Sequence, residues 1–200
     1  YQKAKIEKST KALSVSQEGT LKLLENMLPF SIAQQIMKNR NAFIADTFED
    51  VTILFTDIKG FTSFSQSITP GELVEFLNNM YSAFDEVLAQ WDAYKVEILG
   101  DAYFVVCGCP DESTGLINAA NATEVALLLQ SLMPQLTSES VMPESAAGVS
   151  IQMRCGLHSG EVVAGVVGKK DPRYHLFGRS VVFANKMESH GVPGKVHISS

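Results

Sequence analysis

The sequence predicts an α/β fold, and three stretches carry that prediction. "DVTILFTD", Asp50 to Asp57, is a nearly unbroken apolar run of β-branched and aromatic residues, the pattern of a strand buried on both faces. "TPGELVEFLNNMYSAFDEVLAQW" opens on a Thr-x-x-Glu capping box, Thr69 to Glu72, with Pro70 at the first helical position. Leu73, Phe76, Leu77, Met80, Tyr81, Phe84, Val87, Leu88 and Trp91 then recur at helical spacing and form one broad core-facing stripe. "AYKVEILGDAYFVVCGCP" reads as two apolar strands joined by a tight turn at Leu99, Gly100 and Asp101.

The remaining elements follow in chain order. Residues 1 to about 25 are rich in Lys, Glu, Gln and Ser, with Ile6, Leu13, Leu21, Leu24 and Leu28 at loosely heptad-like intervals. That spacing fits a helix pairing with a partner helix, and equally a solvated linker helix. Pro29 forces a break, and Ser31 is placed to cap a short second helix carrying Ile32, Ile36 and Met37 on one side. Beyond the hairpin, a helix is expected from about Leu116 to Met133, followed by the polar loop "TSESVMPESAAG". "VSIQMRCGLHSGEVVAGVVG" predicts two strands separated by a Gly-rich turn, and "FGRSVVFANKMES", from Phe177, predicts a final amphipathic helix.

A chain of 200 residues, 46% hydrophobic and 19% charged, has the makings of one ordinary core. We divide it into a linker of residues 1–45, holding the signalling helix and the short second helix, and an α/β domain of residues 46–200. The net charge of −6 argues against a nucleic-acid partner, and an anionic ligand would need local cations, metal ions or helix N-termini. Cys107, Cys109 and Cys155 lack metal-ligand spacing, and no secretory signal is evident, so a reducing, cytoplasmic setting is expected. No apolar run approaches the ~20 residues that span a bilayer, which still permits the cytosolic domain of a membrane-anchored receptor or sensor.

The chemistry lies in carboxylates at strand ends. Asp57 is expected to close the first strand and Asp101 to sit in the hairpin turn, so two acids distant in sequence face each other across neighbouring strands. Hard oxygen ligands of this kind suit Mg²⁺ or Mn²⁺ with waters and phosphate oxygens. After Asp57 comes "IKGFTSF", where Gly60 permits close backbone approach and amides at a helix start can cradle phosphate. Together these make a phosphoryl-transfer arrangement; the plainer alternative is that each aspartate only caps a turn. His158, His190 and His197 have no metal-site spacing and read as structural or surface residues.

"VTILFTDIKGFTSFS", "YKVEILGDAYFVV", "CGLHSGEVVAGVVG" and "RYHLFGRSVVFANKMES" occur in this order, and with the "LLENMLP" lead-in they resemble the class III nucleotidyl cyclase catalytic domain, most closely its guanylyl cyclases. The resemblance implies a ferredoxin-like domain, its central, mostly antiparallel sheet flanked by helices, that works as a head-to-tail dimer. One subunit of each site would supply metal ligands and the other the base-reading and transition-state residues. The implied reaction is attack of the GTP ribose 3′ oxygen on the α-phosphate, assisted by two Mg²⁺ or Mn²⁺, giving 3′,5′-cyclic GMP and pyrophosphate.

Position by position, Asp57 and Asp101 match the metal aspartates, and Ile58 matches the residue whose carbonyl also reaches a metal. Gly60, Phe61 and Thr62 match the turn that wraps the triphosphate. Glu97 matches the guanine-selecting glutamate: a carboxylate accepts from both N1-H and N2-H of guanine, and adenine has no N1 donor. A solvent-facing residue beside Lys95 is the alternative reading of Glu97. His175 departs from the family's usual Cys, and its ring either donates to guanine O6 or crowds the pocket.

In the family pattern "FGxxVNxAxR", the ribose-orienting Asn and charge-stabilising Arg fall on Val182 and Lys186. Valine forms no hydrogen bond, and Lys lacks the planar five-donor fork of Arg. The partner-dependent α-type chains of soluble guanylyl cyclases resemble this sequence in keeping the aspartates and losing that pair. The resemblance therefore implies a heterodimer with a second cyclase domain, an upstream sensor, and a second, degenerate site. A homodimeric cyclase of relaxed GTP/ATP preference and a regulatory pseudo-cyclase are the alternatives. Lys170 aligns weakly with a phosphate-proximal Arg, a surface lysine being the plainer reading, and the sequence stops at "GKVHISS", short of the strands where the family has a phosphate-contacting Lys.

Overall fold

The structure is a computed structural model that describes residues 27–39, 42–138, 142–146, 149–168 and 171–199. The coiled-coil-like helix expected over residues 1 to 25 and the match at Lys170 lie outside the described residues. The elements run α1 (Phe30–Lys38), β1 (Ala45–Lys59), α2 (Phe61–Ser67), α3 (Pro70–Leu88), β2 (Tyr94–Leu99), β3 (Ala102–Cys107), α4 (Gly115–Leu136), a 3₁₀ turn (Glu144–Ala146), β4 (Gln152–Val167), β5 (Arg173–Phe177), α5 (Arg179–Ser189) and β6 (Val196–Ile198). The strands form one sheet in the order β2-β3-β1-β4-β5, with β6 beside β4. β3 pairs antiparallel with both β1 and β2, and β6 runs parallel to β4. This is the mixed, mostly antiparallel sheet flanked by helices that the sequence predicts.

The chain forms two compact units, Thr47–Val163 with Leu176–Ser200, and a smaller one comprising Tyr1–Asp46 with Ala164–His175. In the larger unit, α3 starts where its cap dictates: Thr69 Oγ1 accepts from the Glu72 amide at 3.3 Å, and the Glu72 carboxylate accepts from the Thr69 amide at 2.8 Å. Its Phe76, Met80, Tyr81, Phe84 and Leu88 pack with Ala122, Val125, Ala126, Leu129 and Met133 of α4 against Leu54, Ile58, Tyr103, Val105, Cys107, Met153, Cys155 and Leu157 of the sheet. Successive strand residues point to opposite faces, so Phe55 and Phe104 lie on the far side, stacked at 4.3 Å. In the smaller unit, Leu28, Ile32, Ala33 and Ile44 are buried, and the Val166 amide donates to the Ile44 carbonyl at 3.0 Å.

Four boundaries differ from expectation. α1 begins at Phe30 with Pro29 in the cap position, so Ser31 lies inside the helix and caps nothing. β1 continues through Asp57 to Lys59. "RYHLF", unassigned from sequence, is strand β5, and the last helix starts at Arg179, after it. β4 is one strand of 16 residues where two were predicted. The glycines that suggested a turn do not turn the chain; they let α5 approach. A Cβ on Gly156 would lie 1.9 Å from the Glu188 nitrogen, and one on Gly160 would lie 2.6 Å from Ser180 Oγ.

Candidate active site

Asp57 and Asp101 meet. The β1–β3 register pairs Thr56 with Tyr103, which carries the hairpin turn alongside the end of β1. There the Ile58 amide and a side-chain bond to Asp57 both reach the Asp101 carboxyl. Burial first, then the charge of Asp57, hold the Asp101 carboxyl above the usual carboxylate range. Gly100 makes the turn with φ +67°, a conformation that glycine adopts without strain.

Arg154 of β4, which sequence reasoning missed, completes this corner. Its Nη2 donates to Asp57 Oδ2 at 2.5 Å, and its Nε lies 2.9 Å from Glu188 Oε1 of α5, an ion pair without hydrogen-bond alignment. Burial, then the charge of Asp57, hold the Glu188 carboxyl high against the pull of Arg154. The signal in the sequence was a lone charged residue inside the strand-like "IQMRCGL". A half-buried guanidinium is favoured by carboxylate partners such as these two.

Sequence reasoning also missed how Glu97 is aimed. Lys95 opposes Val105 and Glu97 opposes Phe104, so Val96 is an extra residue, a β-bulge. The bulge moves Glu97 to the Phe104 face, away from Lys95, whose Nζ reaches Asp85 Oδ2 of α3 at 2.6 Å. Asp57 and Arg154 belong to that same far face by strand alternation.

After Asp57 the chain enters α2 through Gly60 at φ +91°, where a Cβ would stand 2.9 Å from the Ser150 carbonyl. Phe61 packs on the core and Thr62 is exposed, its carbonyl accepting from Ser65 Oγ at 3.0 Å. His175 is half-buried on β5 between buried Tyr174 and Leu176. On α5, Val182 is 56% exposed and the Lys186 Nζ sits 5.9 Å from the Phe183 ring centroid, so neither position offers the fork of donors that an Arg would. The other histidines hold local structure: His158 to Ser199 Oγ, His190 to the Lys186 carbonyl and His197 to the Met187 carbonyl.

The donors at this corner fit a divalent cation. Two facing carboxylates, with burial and then the charge of Asp57 holding Asp101 above its usual range, present hard oxygens, the ligands Mg²⁺ and Mn²⁺ take. Among the described residues no cluster of three or more His, Cys, Asp or Glu side chains is preformed for a metal, so waters and a phosphate would complete the shell. Among the same residues no helix is long and apolar enough to cross a membrane.

The profile of the family described as "Adenylate and Guanylate cyclase catalytic domain" matches residues 43–200. The chain belongs to that family. It is 41% identical over 197 residues to the guanylate cyclase soluble subunit alpha-1 of Canis lupus familiaris, covering 98% of this chain and 27% of that protein. Retinal guanylyl cyclase 2 of Bos taurus is 41% identical over 194 residues, covering 97% of this chain and 17% of that protein. The chain thus spans about a quarter or less of these relatives' length. Among solved structures, the guanylate cyclase domain of RhGC from Catenaria anguillulae in complex with GTP is similar with a TM-score of 0.68 and 35% identity, over 77% of this chain and 80% of that one. The catalytic core of a rhodopsin-guanylyl cyclase with converted specificity, in complex with ATPalphaS, gives 0.68 and 35% over 78% and 79%.

Proposed function

We propose that residues 46–200 are the catalytic domain of a guanylyl cyclase subunit that forms 3′,5′-cyclic GMP and pyrophosphate from GTP and works with a complementary cyclase chain. The observation that carries this reading is the meeting of Asp57 and Asp101 beside Arg154. Asp57, Asp101 and the Ile58 carbonyl would hold two Mg²⁺ or Mn²⁺. Bound there, the ions would offset charge on the attacking 3′ oxygen and the departing pyrophosphate. Arg154 adds a fixed cation at the same corner, and the Gly60–Thr62 turn faces the triphosphate with backbone amides. At the second site, which this chain's own base-reading positions would line, Glu97 would accept the two guanine donors, and His175 either donates to O6 or crowds the base.

Val182 and Lys186 support the partner. A copy of this chain paired with itself would lack the Asn and Arg at both sites, and losing such electrostatic help costs orders of magnitude in rate. A partner with both residues, reading the base itself, makes one competent site with Asp57 and Asp101, and leaves the site built on Glu97, His175, Val182 and Lys186 degenerate. Residues 1–45 then serve as the link from a sensor, and the domain works in the cytoplasm. The test is production of cyclic nucleotide from GTP and from ATP, with Mn²⁺ or Mg²⁺, by the chain alone and mixed with a complete cyclase chain. GTP turnover only in the mixture is expected; robust turnover by the chain alone would overturn the partner requirement.

A further inference from the structure

The hairpin β2–β3 carries both Asp101 and Glu97, and one helix grips it through polar groups. Tyr81 of α3 donates its hydroxyl to the Gly100 carbonyl at 2.8 Å. That carbonyl belongs to the peptide joining Gly100 to Asp101, so the bond fixes the plane from which the Asp101 side chain departs. The turn has need of it: a Cβ at Gly100 would touch nothing within 4 Å, so packing does not select among the conformations glycine permits. One turn along α3, Asp85 accepts from Tyr103 Oη at 2.5 Å and from Lys95 Nζ at 2.6 Å, tying β3 to β2 on either side of the Val96 bulge. The rings beneath leave Tyr81 little freedom, since it stacks on Tyr103 at 5.7 Å and meets Phe84 edge-on at 6.1 Å.

We propose that Tyr81 and Asp85 are positioning residues, Tyr81 for the metal-facing Asp101 and Asp85 for the base-facing Glu97, so that α3 sets both halves of the hairpin's chemistry. This rests on the roles proposed above for Asp101 and Glu97. Neither residue is placed to touch substrate; each acts through the peptide or strand it holds.

The experiment uses the full chain with its complementary cyclase chain. Mn²⁺ binding is followed by loss of the free-ion electron paramagnetic resonance signal and KM for GTP by initial rates; because the partner reads the base at the competent site, the preference set by Glu97 is read from the affinities of the chain alone for GTP and ATP by equilibrium dialysis. Tyr81→Phe keeps the ring stack and removes one hydrogen bond. It should raise the Kd for Mn²⁺ about two- to tenfold, with KM for GTP unchanged. Asp85→Asn takes the charge out of the tie to Lys95, and should lower the GTP-over-ATP affinity ratio of the chain alone by a similar factor while leaving the Mn²⁺ Kd of the mixture unchanged. A purely structural role would lower the active fraction and move neither quantity. An unchanged Mn²⁺ Kd in Tyr81→Phe, or an unchanged base ratio in Asp85→Asn, overturns the proposal. Asp101→Asn separates the two levels. If it weakens Mn²⁺ binding and Tyr81→Phe does not, only the positioning role falls; if it has no effect, the metal reading falls and the positioning role with it.

Discussion

The corner around Asp57 and the outer face of α5 lie in the same compact unit and are built in opposite ways. Asp57 is held by Arg154, Asp101 lies against it, and the Ile58 amide and Tyr81 hydroxyl fix the surrounding backbone. Val182, Phe183 and Lys186 are exposed and hold no comparable network; Lys186 rests over a phenyl ring. Preorganised charge is costly to assemble and is kept where chemistry needs it. Under the function proposed above, the contrast is that of one half of a two-part active site kept intact and the other half turned into surface.

The largest effect should come from the intact half. Asp57→Ala in the mixture with a complete cyclase chain should lower cyclic GMP formation by about three orders of magnitude, whereas Val182→Ala should leave it within about twofold, both read from initial rates. Comparable losses from the two changes would abolish the distinction. Next comes the seam that joins the two regions. Gly156→Ala puts a methyl group 1.9 Å from backbone of α5 and should cost about 3 kcal/mol in chemical denaturation, with no change in denaturant slope.

A smaller effect is expected from repairing the surface half. Val182→Asn with Lys186→Arg should raise turnover by the chain alone about tenfold or more, while leaving its melting temperature nearly unchanged, because both side chains are exposed. The smallest is no effect at all. Burial pushes the Cys107 and Cys155 thiols up to about 12, so both stay neutral and unreactive toward alkylating reagents from pH 7 to about 9 in the folded chain. The thiolate appears only as pH rises through the raised value or the chain unfolds. Modification of Cys155 in native conditions, read by mass spectrometry, would mean that β4 opens beside Arg154.

Much of this was legible in the sequence because the signals were local. The capping box at Thr69, the stripe from Leu73 to Trp91 and the turn at Gly100 each declare themselves within a few residues, and the structure places them as expected. The facing of Asp57 and Asp101 was legible because a hairpin and its neighbouring strand leave few alternatives. What was hidden depends on partners far along the chain. Gly156 and Gly160 look like turn residues until Glu188 and Ser180 of a later helix pack onto them. Arg154 looks stranded until Asp57 and Glu188 arrive from two other elements. The Val96 bulge has no composition signal, since Lys95-Val96-Glu97 reads as ordinary alternation.

The glycine seam under α5 has a consequence for descent. The inner face of that helix is locked by Gly156, by Ser180 bonded to the Glu161 carbonyl at 2.7 Å and by buried Glu188, while Val182 and Lys186 on its outer face are exposed. Mutations at residues 182 and 186 are therefore invisible to folding. If the chain works, as proposed, with a copy that has Asn and Arg at these positions, selection on the two would relax while selection on the inner face continued. A single short helix can thus record both the inheritance of a fold and the division of labour between two genes.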